Sequence, residues 1–157
     1  MKITSKLMAL IVVLVLFGGI TITSWLGWWA TETSKTPVKF AEGEAAGEYN
    51  PADIRGSYSF GDVSELFEIP LADLQAAFRL PADDPAAFQL KSLEALYAGL
   101  ETEIGTASVR LFSAWYKGLP YEPTEETYLF PEAIEILKAQ ASLTPDQIAY
   151  LDSHVAI

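Results

Sequence analysis

The chain has 157 residues, no cysteine, one histidine and a formal net charge of −11, with 50% hydrophobic residues unevenly spread. The missing cysteines exclude disulfides, thiolate metal sites, covalent haem attachment, a cysteine nucleophile and a cysteine-ligated iron–sulfur cluster in this chain. All 21 acids and all but two of the 10 basic residues lie beyond Trp29, which leaves that part at about −13. Such a surface repels phosphate, so nucleic-acid binding is disfavoured and anionic lipid headgroups offer it no docking.

The first element is Leu7 to Trp29, 23 residues without a charge. At about 1.5 Å per residue this predicts roughly 34 Å of helix, enough for a hydrocarbon core of about 30 Å. Lys2 and Lys6 precede it and Trp25, Trp28 and Trp29 close it. Lysines on the short N-terminal side imply an N-terminus in the cytoplasm and the remainder outside it. The tryptophans are then expected at the outer membrane interface. A cleaved export signal is the competing expectation. Its cleavage site needs small residues at −3 and −1, and Ala30 at −1 would place Trp28 at −3, so an uncleaved anchor is favoured.

Residues 31–50 are rich in Thr, Ser, Glu, Gly and Ala and are expected to form a linker. If flexible, roughly 20 residues reach about 25 Å. Val38 and Phe40 are its two candidates for local docking.

From Pro51 to Ile157 the pattern predicts a small all-α domain of five or six short helices with proline-rich corners. Ser59 with Asp62 three residues on predicts a capped helix through Phe67, with Val63, Leu66 and Phe67 inward. Pro70 suits the first turn of a second helix carrying Leu71, Leu74 and Phe78. A third is expected from Ala86 or Lys91 to Leu100, with Leu93, Leu96 and Tyr97 on one side. Thr106 to Lys117 places Val109, Phe112 and Tyr116 on one stripe, with Leu111 and Trp115 beside it. Ser108 to Leu111 also alternates as a strand would, but the length and the stop at Gly118 and Pro120 favour helix. Pro131 to Gln140 follows, with Ala133, Ile136 and Leu137 inward. Thr144-Pro-Asp-Gln147 then opens a last helix with Ile148 and Leu151.

The stretch Asp53-Ile-Arg-Gly-Ser-Tyr-Ser-Phe-Gly-Asp-Val, then Phe67-Glu-Ile-Pro and Phe78-Arg-Leu-Pro, resembles the helical extracytoplasmic domain that follows the last membrane helix of some bacterial membrane-bound polyferredoxin-like proteins. Val109-Arg-Leu-Phe, Gly118-Leu-Pro-Tyr and the closing Leu-Thr-Pro-Asp-Gln fit the same pattern. The likeness covers roughly Pro51 to His154 and mostly describes helix caps and corners. It implies an accessory role beside a membrane electron-transfer complex, with an integral-membrane, iron–sulfur subunit as the partner. Without the ferredoxin cysteines it does not imply that this chain carries electrons.

No catalytic constellation stands out, and no catalytic, cofactor or metal residue is assigned. His154 is expected at a surface or helix end, since one imidazole makes no zinc site without partners. The pairs Asp83-Asp84, Glu101 with Glu103, and Glu125-Glu126 lack the spacing of a calcium loop and read as solvated acids. Ser57, Ser59 and Thr106 sit where caps and turns need hydroxyls. Arg55, Arg79 and Arg110 are expected to pair with acids. Tyr58, Phe60, Phe112, Trp115, Tyr116, Tyr121, Tyr128 and Phe130 are dense for a small domain, and most are expected in its core. Trp115, Tyr116 and Tyr121 are the expected exposed binding edge, because aromatic residues dominate interface hot spots. The sequence thus implies a membrane-anchored, non-catalytic interaction protein. Its alternative is an extracytoplasmic ligand-binding or sensing module.

Overall fold

Residues 36–81 and 83–157 are described by a computed structural model. The expected membrane helix, its tryptophans Trp25, Trp28 and Trp29, and the first part of the expected linker lie outside these residues. Among the described residues no helix is long and apolar enough to cross a membrane. The described chain is all-α. A 3-10 turn at Pro51–Asp53 precedes α1 (Phe60–Phe67), α2 (Leu71–Ala77), α3 (Ser92–Leu96), α4 (Thr106–Tyr116), α5 (Pro131–Gln140) and α6 (Pro145–Ser153).

The starts follow side-chain chemistry. Ser59 accepts from the Asp62 N–H while the Asp62 carboxylate accepts from the Ser59 N–H, so two of the free donors at the head of α1 are met. Thr144 and Gln147 make the same reciprocal pair at α6. Pro131 and Pro145 occupy the first helical turn, where a missing N–H costs nothing. Pro70 sits one position earlier than expected, as the N-cap of α2 with extended ψ. The strand alternative for Ser108 to Leu111 does not occur, because these residues lie inside α4.

The third helix is shorter than its sequence pattern. Residues 86–91 spend their backbone on the segment before α1 and on its first turn. Phe60 and Gly61 donate to the carbonyls of Phe88 and Ala86, and Leu90 and Lys91 donate to those of Tyr58 and Gly56. Those bonds compete with helix, so α3 covers only Ser92–Leu96. Gly61 permits the close approach, since a Cβ there would meet the Ala86 carbonyl oxygen at 3.0 Å.

The expected linker folds back in the part that is described. Phe40 donates to the Glu48 carbonyl, Gly47 to that of Phe40 and Asn50 to that of Val38, forming a short hairpin over residues 38–50. Phe40, Ala45 and Tyr49 pack on the core, whereas Val38 remains exposed. The Asp53 carboxylate accepts from the Val38 N–H at 2.9 Å and fastens the hairpin to the 3-10 turn. That bond holds the Asp53 carboxyl below its ordinary range.

The core is aromatic at its centre. Phe60, Phe78 and Phe112 are fully buried, with ring centroids 5.4 and 5.5 Å apart along the series. Burying each such ring contributes roughly 1.5–3 kcal/mol. α2 and α5 share the broadest helix–helix contact. Arg79 ties them, with its guanidinium on the Glu132 carboxylate at 2.9–3.0 Å and over the Phe130 ring at 4.3 Å. Arg79 keeps this role although its φ of +46° lies in the left-handed region. The Arg55–Asp53 pair also forms, at 3.4 Å. Arg110 differs from expectation and caps the buried Ile54 carbonyl with Nε and Nη2.

Candidate interaction site

The expected aromatic edge is mostly internal. Trp115 is only 4% exposed, because α4 is the central helix and this face of it turns inward. Its ring meets Tyr150 edge-on at 5.6 Å, and its Nε1–H points to the Tyr121 carbonyl at 3.4 Å. Tyr116 is half-buried, donating its hydroxyl to Asp73 at 2.7 Å. Burial and the adjacent carboxylate push that phenol up to about 12. Tyr121 is half-buried as well, and desolvation raises it too. The exposed edge expected at Trp115 is instead a buried ring, with Tyr116 and Tyr121 half-buried.

Trp115 is one of the residues lining a groove of about 720 Å³. One wall is the hairpin, with Glu42, Glu44 and Glu48. Another is the end of α4, with Lys117, Gly118, Leu119 and Pro120. The α5–α6 corner supplies Ser142, Thr144 and Gln147, and Glu68 closes the rim. Gly118 sits at φ +66° just past α4 and turns the chain so that Leu119 buries while Pro120 faces out. Glu68 also has a left-handed φ, +51°, as the C-cap of α1. Lys117 reaches it at 3.1 Å. The lining thus carries four carboxylates and one ammonium. A further hollow of about 290 Å³ shares Glu48, Glu68, Lys117 and Leu119 and adds the charged residues Lys39 and Glu65.

These acids escaped the sequence reading because residues 42–48 have the composition of a tether. The glycines at 43 and 47, both with positive φ, were the available signal for a tight return of the chain.

His154 is the C-cap of α6 and is half-buried, with Nδ1 on the Tyr150 carbonyl and Nε2 on the Glu125 carbonyl. Asp84 accepts from the Ala87 N–H in a loop turn. Glu101 and Glu103 share a small cavity of about 210 Å³ with Glu94. Among the described residues no group of three or more His, Asp or Glu is arranged to hold a metal ion. Ser59 is a helix cap, as expected. No protein-family profile, no curated protein and no solved structure matches the chain.

Proposed function

We propose that this chain is a non-catalytic accessory protein, anchored by Leu7 to Trp29 with its helical domain outside the cytoplasm. It docks an integral-membrane partner through the acidic groove. The groove carries this proposal, because four carboxylates, three of them on the hairpin, line one cleft together with the buried Trp115. A lysine- or arginine-bearing loop of a membrane protein is complementary to it in charge and size. The membrane placement rests on the uncharged run and its tryptophan border. The resemblance to the polyferredoxin-associated domain supplies the partner class, an iron–sulfur redox subunit.

Full-length tagged protein extracted from membranes in mild detergent should retain such a partner. Replacing Glu42, Glu44 and Glu48 together by Lys should release it, while the thermal transition of the domain stays in place. Recovery of the wild-type protein alone in every mild detergent contradicts the proposal. So does undiminished recovery of the partner with the triple variant.

The alternative, small-ligand sensing, draws on the same volume, which lies in the range of ligand pockets. The lining favours a protein partner, since four exposed carboxylates stand in it against one ammonium and its buried apolar side chains are Trp115 and Leu119.

A further inference from the structure

The hairpin over residues 38–50 makes its backbone bonds with itself. Phe40 donates to Glu48, Gly47 to Phe40 and Asn50 to Val38, while Ala46 and Glu48 donate to the Gly43 and Ala45 carbonyls inside the bend. Among the described residues no backbone bond runs from 38–49 to a helix. The buried core begins at Ile54 and receives from the hairpin only the half-buried Phe40, Ala45 and Tyr49. The helices thus close their core without it.

The main fastenings lie at the two ends of the hairpin. Pro37, just before it, is buried, and the Val38 N–H donates to the Asp53 carboxylate at 2.9 Å. At the other end the Tyr49 ring meets Phe67 edge-on, with centroids 6.4 Å apart, and Lys39 lies over the same tyrosine at 4.7 Å. Residues 41–44 and 46–48 between them are exposed.

Releasing the Asp53 end costs little. Arg55 lies 3.4 Å from that carboxylate, so the charge keeps a partner when Val38 leaves, and water takes the freed N–H. Few buried apolar contacts and solvent-exposed backbone bonds are the marks of a segment that opens below the energy of global unfolding.

We propose that residues 38–50 form a strap that opens as a unit while the helical core stays folded, so that the groove exists only when the strap is closed. The strap supplies Glu42, Glu44 and Glu48 to the groove, and Lys39, Glu48 and Tyr49 to the further hollow. Opening removes a wall from each, and three of the four groove carboxylates leave together. The strap follows from the packing and does not depend on the membrane partner proposed above. Whatever enters the groove meets a site that closure of the strap has built.

Native-state hydrogen exchange of the full-length protein in detergent tests this, comparing peptides from 38–50 with those of α4 and α5 after correction for intrinsic rates. The strap amides should exchange at least about ten-fold faster than those of α4. Ile134→Val trims the core on α5, where Ile134 is buried. It destabilises the closed and open forms alike, so α4 and α5 should exchange about five-fold faster while 38–50 is unchanged. Asp53→Ala removes the acceptor of the Val38 N–H and should speed 38–50 about five-fold, the effect of roughly one hydrogen bond. Strap amides as protected as those of α4, a strap that speeds up together with the core in Ile134→Val, or a strap rate untouched in Asp53→Ala would each overturn the proposal.

Discussion

At the scale of single residues, two backbone-defining positions set the site. Asp53 holds the hairpin through the Val38 N–H, and that bond lowers its carboxyl from the ordinary range. A depressed carboxyl stabilises the fold fully above its unfolded value, about pH 4, and loses that contribution as pH falls through the folded value. Asp53→Asn should therefore destabilise the domain at pH 7 and flatten its acid-induced loss of stability. Urea midpoints at pH 7 and pH 3 for the two proteins measure this. Gly118 is the second position. Nothing lies within 4 Å of where its Cβ would be, so Gly118→Ala meets no clash and tests the left-handed φ alone. A cost of about 1 kcal/mol in chemical denaturation is expected. No cost would mean that the turn relaxes.

At the scale of elements, helix ends were more legible than helix lengths. The starts at Phe60, Pro131 and Pro145 could be read because caps and prolines act over three or four residues. The short α3 could not, because its would-be first turn pairs with a segment about 30 residues earlier, and no local pattern records such a bond. The hairpin was missed for a related reason. Its polar surface resembles a tether, and only Phe40, Ala45 and Tyr49 reveal that it has a core to rest on. Trp115 misled in the opposite sense, because composition cannot tell an interface aromatic from a core one. Thr144→Ala should cost about 1 kcal/mol by removing the α6 cap. Phe112→Ala, at the centre of the ring cluster, should cost about 3–5 kcal/mol. Equal effects in equilibrium unfolding would show that the ring cluster is not the centre of the core.

At the scale of the whole molecule, the sequence combines an uncharged run of membrane-spanning length with an acidic helical domain. Glu42, Glu44, Glu48 and Glu68 converge on one cleft. The one ammonium in that lining, Lys117, is already engaged with Glu68. Under the proposed docking of a basic segment here, association should weaken steeply with ionic strength. Partner retention that is indifferent to salt between about 50 mM and 500 mM would contradict an electrostatic dock, since the Debye length shrinks severalfold over that interval.

The central claim is that a membrane partner sits in this groove, and site-specific photo-crosslinking in intact membranes tests it most directly. A photoreactive residue at Ser142, in the groove wall, should give a discrete adduct with one integral-membrane protein. The same residue at exposed Ala95 on α3, outside the lining, should not. No adduct from Ser142, or equal adducts from both positions, would contradict the account.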